Sequence, residues 1–190
     1  IDTGEIVLQN KTNIDKERPL PIDYLKSEKI NAEIIIDKFL EILLNNNIPS
    51  IEQNNDRSFY YPRLFTEING IINWDWDIDS IEVFIRAFGY PYPGASSYYR
   101  DHKVHILEAF IDEDFKDTYH PFMNGKIVTV LENGSVRVIA GSRSLIISLI
   151  AIDGQEQQPG DFLSIKYTFN SPAEKLIYSK LHIPTTLSMN

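Results

Sequence analysis

Residues 86–95 read Arg-Ala-Phe-Gly-Tyr-Pro-Tyr-Pro-Gly-Ala, and no helix can run through them. Pro91 and Pro93 lack a backbone donor, and each pushes the residue before it toward extended geometry. Gly89 stands where a helix C-cap takes a left-handed residue. A helix should end here, and a chain of short β-type runs should follow.

On the near side of this break, Asp79-Ser80-Ile81-Glu82 has capping-box spacing, an acceptor followed three residues later by Glu. It predicts a helix with Ile81, Phe84, Ile85 and Phe88 on its apolar face. An earlier helix is expected from residue 21 or 22 to about 46, where Leu25, Ala32, Ile36, Phe39, Leu40 and Leu43 recur at helical spacing. Ahead of it, Asp2-Thr3-Gly4 is a turn signal and residues 5–9 are a short β-prone run. Strand, loop and long helix make one α/β unit, which cannot bury both faces of its strand alone. The missing strands are expected upstream of Ile1. Residues 48–58 are polar and turn-rich and read as a linker.

Beyond the break, residues 102–110, 126–131, 135–140, 144–152 and 161–169 read as strands. Asn133-Gly134 predicts a two-residue hairpin turn that sets Leu131 opposite Val136 and Thr129 opposite Val138. Short strands around a central hairpin predict a small barrel, closed to hide its edges. A short helix over 172–181 and a tail complete the chain.

Charge narrows the function. The net charge is −9; residues 1–59 carry 7 basic and 11 acidic side chains, and residues 60–190 carry 11 and 16. Neither part has the basic excess of a nucleic-acid surface. The absence of cysteine excludes disulfides, thiolate catalysis and Cys-type zinc sites, and fits a cytoplasmic location. No apolar run approaches the ~20 residues of a membrane helix, so no membrane partner is expected.

The residues that could carry chemistry have plain structural readings beside them. Asp2 is a turn aspartate before glycine. Asp112, Glu113, Asp114 and Asp117 lack the spacing of a calcium loop and read as a solvated loop. Asp75, Asp77 and Asp79 alternate, with Asp79 the expected cap. His102, His105, His120 and His182 show no metal spacing, and no metal is expected. Trp74, Trp76, Tyr90, Tyr92, Tyr98 and Tyr99 could stack on bases or sugars, but core packing accounts for them more simply.

Two stretches together resemble the 10-formyltetrahydrofolate-dependent formyltransferases. Asp2-Thr3-Gly4-Glu5-Ile6-Val7, then six residues to Ile14, is similar to the signature around that family's active-site aspartate. Asn69-Gly70-Ile71-Ile72-Asn73-Trp74, Ile85-Arg86-Ala87-Phe88 and Pro91-Tyr92-Pro93-Gly94-Ala95 resemble the entry to its C-terminal domain, and Met123-Asn124-Gly125-Lys126-Ile127 fits that domain's barrel. Asn73 replaces the acidic residue usual before the Trp, and Asn69 stands where Asp is common before the Gly.

The resemblance implies an α+β chain: the tail end of a Rossmann-like α/β formyltransferase domain, a strand plus a long helix, followed by a small OB-like β-barrel domain. Its domains would be 1–47 (catalytic-domain end), 48–58 (linker), 59–169 (barrel) and 170–190 (helix and tail). It implies 10-formyltetrahydrofolate as co-substrate and Asp2 as catalytic residue, orienting a histidine and helping to take the proton from the attacking amine. The family's Asn and His are expected upstream of Ile1, so the chain alone is expected to be inactive. The acceptor is expected to be a small-molecule amine on a nucleotide-linked amino-deoxysugar. A methionyl-tRNA acceptor is the alternative, disfavoured by the acidic charge. A non-enzymatic binding or oligomerisation module is the reading from another class, and a homodimer is left open.

Overall fold

The computed structural model describes residues 4–54, 56, 58–59, 61–115 and 117–181. The chain divides into two compact units, Ile1–Pro62 and Arg63–Asn190.

The first unit is built on α1 (Pro21–Leu44). Pro21 opens it at a position where its missing N–H costs nothing. The Asp23 carboxylate caps the end by accepting the Leu20 N–H at 2.8 Å, and Lys16 Nζ holds the same oxygen at 2.7 Å. Asn45 ends the helix, its N–H reaching the Glu41 carbonyl at 3.1 Å, and Asn46 turns left-handed at φ 52°. The apolar stripe forms as spaced, yet Leu25, Phe39, Leu40 and Leu43 all remain exposed. Residues 5–9 do not make a strand. They contribute one antiparallel bridge, Ile6 to Ile51.

The second unit begins with the single turn α2 (Thr66–Asn69) and α3 (Ile78–Ala87). The cap of α3 is Asp77, two residues before the expected Asp79. Its carboxylate accepts the Ser80 N–H at 2.8 Å and the Ser80 hydroxyl at 2.7 Å, so Asp77-x-x-Ser80 makes the N-terminus. Ile78, Ile81, Ile85 and Phe88 turn inward. Full burial of a side chain the size of Ile81 stabilises by about 1.5–3 kcal/mol. At the far end the Phe88 carbonyl accepts the Gly94 N–H at 3.0 Å, closing the proline turn on the helix.

The sheet follows: β1 (Ala95–Tyr99), β2 (His102–Ile111), β3 (Ile127–Val130), β4 (Val136–Ala140), β5 (Arg143–Ile152) and β6 (Gln155–Gln157). A 3-10 turn at Pro121–Met123 precedes β3, and helical segments α4 (Pro159–Phe162) and α5 (Ala173–Leu181) come last. All pairings are antiparallel, in the order β1-β2-β5-β4-β3 with β6 on β5. The helix α3 lies against β1, β2 and β5. One core joins Ile72, Trp74 and α3 to Val104, Ile106, Val138, Leu145 and Ile147 of the sheet.

Three expectations are corrected here. The sheet is open, not the closed OB-like barrel. Its two edges are met by one extended segment, through isolated bridges of Thr168 to Lys126 and Asn170 to Tyr98. Residues 161–169 are not a strand, because Pro159-Gly160-Asp161-Phe162 forms α4. The β3–β4 hairpin pairs Val130 with Val136 and Thr129 with Arg137. Its loop therefore has three residues: Gly134 N–H bonds the Leu131 carbonyl at 3.0 Å, and Gly134 takes φ 80°. A turn followed by a left-handed glycine shifts the register by one from that of a two-residue loop.

Candidate functional site

Asp2 lies outside the described residues; residues 4–6 are anchored within the first unit. The Gly4 carbonyl accepts Gln53 Nε2 at 2.6 Å, and the Glu5 carboxylate accepts the Ser50 hydroxyl. Ile6 and Ile51 exchange both backbone hydrogen bonds, at 2.8 and 3.0 Å. Residues 50–53, which read as linker, thus carry the contacts that hold the segment behind Asp2 in place.

On α1, Asn31 Oδ1 accepts Asn10 Nδ2 at 2.6 Å and also the Thr12 hydroxyl, tying the loop before α1 to the helix. A cleft of about 710 Å³ opens between them, lined by Asn13, Tyr24, Ser27 and Glu28 among others. It offers hydroxyls, amides and one carboxylate, a set that binds polar groups and contains no paired acid and base.

The second unit holds a tighter cleft of about 440 Å³ between residues 63–66 and the end of α3 with the proline turn. Its walls are Leu64, Phe65, Ala87 and Phe88; its polar groups are Arg63, Thr66 and Tyr92. Asn69 fixes one wall. It is buried, accepts the Phe65 N–H at 2.8 Å and donates to the Ser179 carbonyl at 2.7 Å. The Arg63 guanidinium lies 5.7 Å from the centre of the Phe65 ring, and no described carboxylate pairs with it. One cation, two hydroxyls and an aromatic floor suit an anion with an apolar body. The cleft has no nucleophile and no proton-transfer pair.

The other candidate residues scatter. Asp112 is buried, contrary to a solvated loop: Arg137 Nε donates to it at 2.8 Å, and the guanidinium lies 4.6 Å over the Phe115 ring. Glu113 pairs with Arg143 at 2.9 Å. Asp77 is spent on capping, and the hydrogen bonds from the Ser80 hydroxyl and N–H hold its carboxyl below the usual value. Asp23 is lowered in the same way, first by Lys16 and then by the Leu20 N–H. His102 meets the Phe162 ring edge-on at 5.3 Å, and His105 Nδ1 lies 3.2 Å from the Gly94 carbonyl oxygen. His182 lies outside the described residues. Trp74 is core, stacked on Phe169 with its Nε1–H donated to Ser97 Oγ at 2.9 Å, and Tyr99 is core as well. Tyr90 and Tyr92 are exposed, so the aromatics do not form one platform. Among the described residues, no three His, Asp or Glu side chains gather as a metal site, and no helix is long and apolar enough to cross a membrane.

The Arg63 cleft was not among the sequence candidates. Its two walls are far apart in the chain, and only Pro62-Arg63 behind two tyrosines marked the place.

Residues 65–166 match the family described as the formyl transferase C-terminal domain. The methionyl-tRNA formyltransferase of Citrifermentans bemidjiense is 25% identical over 86% of this chain and 49% of its own length. The bifunctional polymyxin resistance protein ArnA of Wigglesworthia glossinidia brevipalpis is 32% identical over 61% of this chain and 18% of its own. The chain thus spans about half the length, or less, of these curated relatives. Among solved structures, HypX from Aquifex aeolicus in complex with tetrahydrofolic acid superposes with a TM-score of 0.50 at 13% identity, over 70% of this chain and 26% of that one.

Proposed function

The chain belongs to the formyl transferase family by its C-terminal domain, and on that premise we propose that it is the C-terminal portion of an enzyme moving a formyl group from 10-formyltetrahydrofolate to an amine. The observation that carries this reading is the order of motifs: Asp2-Thr3-Gly4 with its aliphatic spacing stands ahead of the matched domain, with one long helix between them. The tetrahydrofolic acid bound to the structural neighbour HypX supports the donor class. The folate supplies the formyl group. The described residues of the Arg63 cleft do not fit a pterin, because the cleft lacks a carboxylate for the amino-pyrimidinone edge.

Asp2 is the residue assigned to the chemistry. An amine attacking the formyl carbon becomes an ammonium; the bond from that carbon to the folate nitrogen breaks, tetrahydrofolate leaves, and the amine's proton passes to the leaving nitrogen. A carboxylate beside the amine favours its charged form and orients the group that relays the proton. The bonds from Ser50, Ile51 and Gln53 to residues 4–6 support a fixed backbone behind that carboxylate.

The acceptor we favour is the amine of a nucleotide-linked amino-deoxysugar. The chain is acidic overall, and Arg86, Lys103, Arg137 and Arg143 are each taken up by a carboxylate within the second unit. The excess of acids, with these four bases paired, weighs against the continuous basic surface a tRNA backbone calls for. A methionyl-tRNA acceptor is the second reading, favoured by the name of the Citrifermentans relative. Presenting the protein that carries this sequence with 10-formyltetrahydrofolate and either nucleotide-linked amino sugars or methionyl-tRNA separates the two. Formylation of an amino sugar is expected; formylation of methionyl-tRNA alone would reverse the assignment. The 190-residue chain by itself is expected to show no turnover.

A further inference from the structure

The turn between β1 and β2 presents Arg100 at the surface, beside two tyrosines. Tyr99 and His102 pair at the end of the hairpin, so Arg100 and Asp101 are its two turn residues. Arg100 sits at φ 54°, a conformation that glycine or asparagine would adopt at less cost. Its guanidinium lies 4.1 Å over the Tyr167 ring and 5.3 Å from the Tyr99 ring. Tyr99 is a rigid support: it is 1% exposed, and its hydroxyl accepts the Ser164 N–H at 3.1 Å. Tyr167 is 44% exposed, so the stack stands at the surface.

Although acids outnumber bases in the chain, no described carboxylate lies within ion-pair distance of Arg100. Lys166, directly before Tyr167, is likewise exposed, unpaired and left-handed, at φ 75°. Two cations thus flank one exposed tyrosine. One of them is an exposed guanidinium centred over an aromatic ring.

We propose that this turn is a phosphate-recognition site, with Arg100 as the primary contact and Tyr167 as its support. A guanidinium already stacked over a ring loses less freedom on binding a bidentate oxyanion than a free side chain does, and phosphate matches its fork geometry. Asp101 beside it opposes the anion. The site is separate from the Arg63 cleft and does not rest on the formyl-transfer reading.

The test is titration of the isotope-labelled 190-residue chain with pyrophosphate at constant ionic strength, followed by amide and arginine side-chain resonances. Saturable shifts are expected at residues 99–102 and 166–167 and at Arg100 Nε–H. Arg100→Gly suits the left-handed turn and keeps the fold, and it should weaken binding by about tenfold or more. Arg100→Lys keeps the charge without the fork and should fall between the two. Tyr167→Ala should weaken binding by about threefold, and Asp101→Asn should tighten it. Displacement of pyrophosphate by a decauridylate names a nucleic-acid backbone as the source of the phosphate; no displacement names a small molecule, and either result keeps the site. Absence of saturation, or unchanged affinity in Arg100→Gly, overturns it.

Discussion

Trp74 and Phe169 stack with ring centroids 5.3 Å apart and planes 14° from parallel, which joins the entry of the second unit to its late extended segment. Gly125 makes the approach feasible. A Cβ there would fall 2.7 Å from the Phe169 carbonyl oxygen and 3.3 Å from Trp74 Cγ, and the residue takes φ 79°. The segment that meets both edges of the open sheet is therefore held by packing as much as by its bridges.

Truncating that contact should be costly. Phe169 is 2% exposed, so Phe169→Ala should destabilise the second unit by about 3–5 kcal/mol. Chemical denaturation followed by tryptophan fluorescence reads both the loss and the altered environment of Trp74.

The Asp112–Arg137 pair predicts an asymmetry. Arg137→Ala leaves a buried carboxylate with only the Ser144 hydroxyl, 3.5 Å away, and should cost about 3 kcal/mol. Replacing both partners, as Asp112→Asn with Arg137→Met, should recover most of that loss, because no charge is then left buried. Denaturation midpoints of the single and double variants check it.

Asp77 ties stability to pH. Its carboxyl is held below the ordinary value of 3.8 in the folded state, chiefly by Ser80, so its contribution is present above 3.8 and is lost as pH falls through the lowered folded value. Asp77→Ala should lower the melting temperature at pH 7, and the gap from the unmodified chain should close as pH drops below that range. A gap that stayed constant in acid would remove the cap from the account.

Much of this fold is legible in the sequence where a period runs long enough. Both long helices follow their apolar spacing, and α1 begins at the expected proline. What fails depends on partners distant in the chain. The strand β1 reads as polar because of Ser96 and Ser97, yet both are buried: Ser96 Oγ reaches the Gly70 carbonyl, and Ser97 Oγ accepts from Trp74 and donates to the Asn170 carbonyl. Residues 161–169 look like a strand because Phe162, Leu163, Ile165, Tyr167 and Phe169 supply apolar bulk, whereas Pro159 at a helix start decides the local geometry. The hairpin register turned on whether Glu132 joined the loop, and Asn-Gly alone does not say.

The candidate sites divide the same way. Asp2 was readable as a motif because its neighbours in sequence carry the pattern. The Arg63 cleft and the Arg100 turn were not, since each is assembled from side chains that only the fold brings together.

The assignment of Asp2 is tested most directly by one comparison. In the protein that carries this sequence, the rate of formyl transfer from 10-formyltetrahydrofolate to its amine acceptor is measured for the unmodified enzyme and for Asp2→Asn, with the melting temperature of each. An unchanged melting temperature and a rate lowered by about 10²–10⁴-fold, the weight of a positioned acid–base group, are expected. A variant that transfers formyl at nearly the unmodified rate would contradict the assignment.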